Sequence, residues 1–496
     1  MCGFPRERQW RAARRRHHEA ASAAPGGAEM TTASAVRASG GAGWLWRLGL
    51  VGLGISVVPL DSSVNIAFPD ITRSFGLPID MIQWVVVSYV LTYAALILAF
   101  GRLGDIWSYG LVFRTGLAWS VVAFTLCGAA PTYGWLLFFR FLQGIGAGLV
   151  ISCAPALVTT LYPEERRARA VGAFSLIFAI GSAAGPLLGG VLVQHWGWPA
   201  VFWFRAPIAL TSLVFLRGLP VSARDGRQSL DVVGALLVAL GLAALLFAIN
   251  AARYVAGGDY RAIPLLAVAL ASFAGFVSWE RRVPRPIVRP ALFRIRGFAL
   301  VNFGNIVVSL AGFSIMLLTP YYLARFTGLS LGIGGLVLAS GSIGMAASSP
   351  VAGRLLARLP PQRLAPAGAL LAGAGLFLVG GWREGASVPG MMFDLALQGI
   401  GVGIFQVAYM EIVMGALPPE HRGVAGSLSM LTRTIGTVTG ATLLTLVFYT
   451  LQSLARAGGA DAAAGFLAAY GPTFRGAGVA AGIIGVLIAL TAKVKR

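Results

Sequence analysis

Apolar runs of about twenty residues recur along this chain, each long enough for a helix to cross a bilayer. By that rule about fourteen spans are expected, over residues 48–68, 82–100, 111–130, 136–160, 170–193, 201–219, 232–250, 262–279, 298–321, 331–357, 364–382, 388–416, 424–451 and 477–492. Backbone groups inside hydrocarbon must find partners within their own segment, so such runs fold as helices. The expected class is an all-α polytopic membrane protein. Composition agrees: 57% of the 496 residues are hydrophobic and 11% are charged, against about 25% charged in soluble chains.

The formal charge of +21 invites a nucleic-acid reading. The arginines argue against it, because they punctuate the ends of apolar runs and form no stripe on one face. With the N-terminus placed in the cytoplasm, most basic residues fall in cytoplasmic segments. The opposite loops hold only Arg73, Arg253, Arg261, Arg325, Arg383, Arg456 and Arg475. Both termini are therefore expected inside. Residues 1–43 are basic and of low complexity, which predicts a disordered cytoplasmic tail; Met1 and Met30 both stand as candidate starts. Arginine in place of nearly all lysine, with abundant Ala and Gly, suggests a GC-rich bacterial genome and hence the bacterial plasma (inner) membrane.

The chain repeats itself. Leu142-Gln143-Gly144-Ile145-Gly146-Ala147-Gly148 returns as Leu397-Gln398-Gly399-Ile400-Gly401-Val402-Gly403, Gly101-Arg102-Leu103 as Gly353-Arg354-Leu355, and Pro163-Glu164-Glu165-Arg166 as Pro419-Glu420-His421-Arg422, all at an offset of about 255 residues. Spans 2 and 4 map onto spans 10 and 12. The expected organisation is a six-helix half at 44–220, two inserted helices at 221–280, a basic cytoplasmic linker at 281–297 and a second six-helix half at 298–496. An even number of spans per offset keeps the halves parallel, the arrangement that places a substrate site between them at mid-membrane.

Enzymatic chemistry finds no footing. Cys2, Cys127 and Cys153 make no disulfide framework, and four histidines form no metal-ligand spacing. No zinc-protease helix, nucleophile elbow or Walker loop is present, so neither a metal, a cofactor nor ATP hydrolysis is expected. The glycines from Gly144 to Gly148 imitate a dinucleotide loop but lie inside a span with no preceding strand.

An acid does stand inside the membrane. Asp61 lies in the outer half of span 1, and Asn65 is one turn away on the same face. A carboxylate in a bilayer costs about 2.5–3.5 kcal/mol and is functional by default. Arg140 lies at a compatible depth in span 4, and a neighbouring guanidinium favours the ionised acid. A static ion pair joining spans 1 and 4 is the plainer alternative. Asp394 and Glu411 sit near the ends of span 12, where snorkelling to the interface is one reading and a second proton or cation site the other; Glu411 is also a candidate cavity residue. Tyr89, Gln143, Phe405, Gln406, Tyr409 and Met410 are candidate cavity residues, although core packing explains the aromatic ones equally well.

Five stretches resemble one family. Leu60-Asp61-Ser62-Ser63-Val64-Asn65-Ile66-Ala67-Phe68-Pro69 is similar to its first-helix pattern. Gly101-Arg102-Leu103-Gly104-Asp105 is similar to its loop after helix 2. Arg140-Phe141-Leu142-Gln143-Gly144 is similar to its helix 4 pattern. Gly181 to Gly190, with Gly185, Pro186 and Gly189, resembles the helix 5 stretch of exporters. Leu230-Asp231-Val232-Val233-Gly234 resembles the entry to an inserted helix pair. The chain is identified on these as a member of the 14-helix drug:proton antiporters of the major facilitator superfamily. The resemblance implies that fold, a proton-coupling role for Arg140, a gating role for Gly101, Arg102, Gly104 and Asp105, and a tight seal at helix 5. The loop departs from the pattern at Ile106, Ser108, Tyr109 and Gly110. Arg205 stands where span 6 usually has asparagine, and the sequence assigns it no partner.

Two small-residue faces look made for each other: Gly181, Gly185 and Gly189 of span 5, and Ser340, Gly344 and Ser348 of span 10. They are expected to meet between the halves.

The function expected is proton-driven export of lipophilic compounds, cationic ones included, by a monomer whose partners are the bilayer, protons and a small molecule. A dedicated exporter of one metabolite, and a membrane sensor or passive facilitator, remain open.

Overall fold

The computed structural model describes residues 41–160, 164–216, 231–252, 260–283, 297–416 and 422–493. The N-terminal tail to residue 40, the basic linker over 284–296, Leu230 and the 417–421 repeat segment lie outside them, as do the side chains of Arg102 and Asp105.

Each of the fourteen runs falls mainly on helix among the described residues. Among the described residues, eleven helical segments are long and apolar enough to cross a membrane, and Ala200–Phe215 and Leu236–Ile249 are shorter apolar stretches. Span 5 is the 33-residue helix Glu164–Trp196. Helix starts follow local chemistry. Ser108, Ser330 and Ser387 accept from the backbone N–H groups of Leu111, Ile333 and Gly390. Asp231 caps span 7 (Val232–Ala251) through Gly234 N and also accepts from the Trp279 indole of span 8 (Ala262–Glu280), tying the inserted pair together.

Span 14 starts earlier than its apolar run. Its helix covers Ala462–Lys493, with Pro472 inside it. Gly465, Gly471 and Pro472 disguise its first turns as a loop. Aromatic packing outweighs them: Tyr470 stacks on Tyr322 of span 9 (Phe298–Phe326) at 5.1 Å, and Phe466 lies 5.3 Å from Phe326.

Spans 2 (Gln83–Ile106), 3 (Tyr109–Gly128) and 4 (Tyr133–Thr160) pack together in the first half; spans 10 (Leu331–Leu356), 11 (Pro361–Val379), 12 (Val388–Gly415) and 14 do so in the second. Span 4 reaches span 2 through two of its glycines. Gly144 faces Thr92 and the Tyr89 carbonyl, and Gly148 faces Phe100. Span 7 lies against span 2 and span 13 (Arg422–Ala457), bridging the halves, with Phe247 stacked on Trp84 at 5.2 Å.

Spans 5 and 10 do meet, though not by the expected faces. Gly181 packs on Pro59, and Gly185 and Gly189 pack on Ser62 and Ser63, all in span 1. Gly344 packs on Ala396 of span 12. The cross-half contact is made instead by Gly190 against the Leu331 carbonyl and by Gly335 against the Pro186 carbonyl, where a side chain would not fit. The Gln194 side chain accepts from Gly332 N at 3.3 Å beside them. Helical spacing marks a face that permits close approach without saying which neighbour takes it.

Candidate functional site: a carboxylate between two guanidiniums

Span 1 is not one continuous helix. Gly41–Ser56 gives way to a 3-10 turn, Pro59–Ser62, then to Ser63–Ile66 and Phe68–Ser74. Pro59 and Pro69 lack the N–H that a continuous helix needs at those points. Asp61 sits in the 3-10 turn. The Ser62 hydroxyl donates to the carbonyls of Pro59 and Ser182, fixing the turn to span 5.

Arg140 meets Asp61 in a fork: Nη1 donates to Oδ1 at 2.7 Å and Nη2 to Oδ2 at 3.0 Å. Its Nε donates to the Val85 carbonyl at 2.8 Å, and its guanidinium lies 4.4 Å from the Tyr89 ring centre. Gln143, one turn along span 4, donates to Asp61 Oδ1 at 2.9 Å and accepts from Arg140 Nη1. A second cation completes the group. Arg205 Nη1 reaches Asp61 Oδ1 at 2.5 Å, its Nε holds the Val201 carbonyl, and its guanidinium lies over Phe124. Span 6 breaks at Phe204 between Ala200–Trp203 and Arg205–Phe215, so Arg205 opens the second piece.

The cluster holds one carboxylate and two guanidiniums, a net positive charge. Arg140 and Arg205 are sealed, with side-chain exposures of 1% and 0%, while Asp61 keeps 14%. The acid is thus the most exposed member of the cluster. Arg205 Nη2 is buried and has no acceptor. Sequence reasoning left Arg205 without a role, although its depth in span 6 matched that of Arg140 in span 4.

A cavity of about 200 Å³ lies beside this cluster, between the halves. Ser62, Asn65 and Pro186 line it from the first half; Gln398, Gln406, Arg433 and Thr437 line it from the second. Gln406 is held by donation to Asn305 Oδ1 at 2.8 Å. Other expected wall residues lie elsewhere. Phe405 and Tyr409 are fully buried in the core of the second half with Leu364, Leu428 and Ile488. Tyr409 donates to Asn302 Oδ1 there. Gln406 alone of that group projects to the cavity, because adjacent helix positions point about 100° apart. Glu411 is exposed and is not among the cavity residues. Asp394 accepts from the Trp382 indole at 2.8 Å, a local tie between span 12 and the segment that joins it to span 11. Gly101 and Gly104 lie at the end of span 2, Gly104 against Tyr109 and Cys153. Among the described residues no group of His, Cys, Asp and Glu could hold a metal ion.

The Major Facilitator Superfamily model matches residues 50–293 and 301–495. The chain belongs to the Major Facilitator Superfamily. It is 32% identical over 396 residues to the multidrug resistance protein Stp of Mycobacterium tuberculosis (strain CDC 1551 / Oshkosh), covering 79% of this chain and 74% of that one. It is 30% identical over 414 residues to the tetracenomycin C resistance and export protein of Streptomyces glaucescens, covering 82% and 76%. The fold matches the inward-facing, unoccupied crystal structure of a bacterial homolog of the human lysosomal transporter Spinster, with a TM-score of 0.64 at 17% identity over 90% of this chain and 96% of that one. These relatives place the chain in the superfamily's drug-efflux family. It is a multi-pass membrane transporter and not an enzyme.

Proposed function

We propose that this transporter exports lipophilic small molecules from a bacterium by antiport with protons, with Asp61 as the proton-carrying group. One observation carries the reading: the partly exposed Asp61 carboxylate is shared by two sealed guanidiniums beside the cavity between the halves. Buried ionisable residues in a membrane bundle mark proton and substrate pathways. A proton on Asp61 cancels the charge that holds Arg140 and Arg205, so loading and unloading it switches an interaction among spans 1, 4 and 6. Rocking of the halves then alternates access to the cavity. The protein acts as a monomer in the plasma membrane with both termini in the cytoplasm, driven by the proton gradient and needing no cofactor.

The decisive experiment uses proteoliposomes with an imposed pH gradient. Asp61→Asn protein is expected to bind substrate but not to accumulate it uphill. Uphill transport by that variant would remove Asp61 from the coupling role. A narrower cargo range, one metabolite or antibiotic, is the second reading; it is favoured by a relative named for export of tetracenomycin C.

A further inference from the structure

We propose that the transported compound is an organic anion, an apolar body bearing one acidic group, and that Arg433 is the side chain that binds its charge. This rests on the reading that the cavity between the halves holds the cargo, and it reverses the charge expected from sequence.

Arg433 is the one charged residue among the described residues lining that cavity. It lies on span 13, two residues into the apolar stretch Leu431–Ala457. It is exposed, and it lines the cavity. No carboxylate pairs with it among the described residues. A guanidinium inside an apolar span, with no carboxylate partner among the described residues, is costly unless a ligand compensates it. A guanidinium presents a planar fork of donors that matches a carboxylate or phosphate.

The surroundings fit the same ligand. Asn65, Gln398 and Gln406 bring amide groups that can donate to acid oxygens, and Thr437 sits one turn from Arg433. Phe313, Met316 and Met345 form an apolar wall for a lipophilic body. The remaining nearby acid, Asp61, is already claimed by two arginines, and Arg205 Nη2 still lacks an acceptor. Counting Arg433, the cavity and the cluster beside it hold three guanidiniums to one carboxylate. A cationic cargo would meet a lining whose one charged residue among those described is positive, whereas an anion balances it.

The test uses two probes that share a ring system and fit about 200 Å³: 2-naphthoate and 2-naphthylmethylammonium, both ionised at pH 7. Purified protein in phosphatidylcholine nanodiscs is titrated with each by calorimetry, without any gradient. The naphthoate is expected to bind at least about tenfold more tightly, the scale of one charged hydrogen bond. Arg433→Gln is expected to abolish that preference, and Arg433→Lys, which keeps the charge and covers the case in which the glutamine variant misfolds, to retain most of it. Tighter binding of the ammonium probe, binding of neither, or a preference unchanged in Arg433→Gln overturns the proposal. Because binding is read without a gradient, failure of the parent protein to transport uphill on an imposed pH gradient, with naphthoate binding intact, would count against proton coupling and leave the anion site standing.

Discussion

Arg205 Nη1 donates to Asp61 Oδ1 at 2.5 Å across 144 residues of sequence. That bond converts a simple ion pair into a triad with more positive than negative charge. It also links span 6 to span 1, so three of the six helices of the first half converge on one carboxylate.

Charge balance in the triad sets the first prediction. Asp61→Asn leaves two buried guanidiniums uncompensated, and breaking a buried pair in this way costs about 3–5 kcal/mol. Arg205→Gln leaves Asp61 paired with Arg140 and is expected to cost less. The double variant Asp61→Asn with Arg205→Gln should recover part of the loss. Thermal unfolding of the purified protein in detergent checks the ranking; a double variant less stable than Asp61→Asn would refute it.

The contact between spans 5 and 10 gives the second. Gly335 faces the Pro186 carbonyl with no space for a side chain. Gly335→Leu should push the halves apart at this end and shift the population away from the described conformation. Cysteines at Gln194 and Gly332, joined by the 3.3 Å bond in the native chain, should cross-link readily with a short dithiol reagent in the parent and poorly in Gly335→Leu. Cysteines at Gly185 and Gly344 should not cross-link in either, since those residues face spans 1 and 12.

Gln406 supplies the third. Its amide donates to Asn305, which itself donates to Thr432 Oγ1 at 2.8 Å and to the Ser429 carbonyl. Asn305→Leu strips partners from a buried network, at about 1–3 kcal/mol for each group left unsatisfied. Gln406→Leu removes a group at the cavity edge and should change the apparent KM for export more than the melting temperature. Equal melting losses in both variants would place Gln406 with the scaffold.

Span 4 supplies the fourth. A methyl on Gly144 would lie 2.6 Å from Thr92 Cβ and 2.7 Å from the Tyr89 carbonyl. Overpacking of this kind costs about 1–3 kcal/mol. Gly144→Ala should therefore lower both thermal stability and export by displacing Arg140 from the Val85 carbonyl. Gly353→Ala, in open space on span 10, serves as the comparison and should leave both unchanged.

Much of this architecture is legible in the sequence because bilayer thickness imposes it. Apolar length locates the spans, and the internal repeat divides them into halves. Asp61 and Arg140 were readable as a pair, since depth along each span can be counted from its ends; Gln143, expected in the cavity wall, joins them instead. Arg205 carried the same signal, yet the family pattern, which has asparagine there, gave it no role. Phe405 and Tyr409 were misplaced for a different reason: an aromatic residue facing the core and one facing a cavity leave the same helical spacing. The glycine faces of spans 5 and 10 identified helices that touch, but partner choice depends on tertiary geometry that periodicity does not encode.

The excess of guanidinium in and around the cavity carries an electrical consequence. If an organic anion leaves as a proton enters, both movements carry positive charge inward across the bilayer. Each is then pulled by a voltage negative inside, by about 2.3 kcal/mol per charge per 100 mV. Such an exporter runs on membrane voltage as well as on pH difference, and collapsing the voltage alone with potassium and valinomycin would slow it.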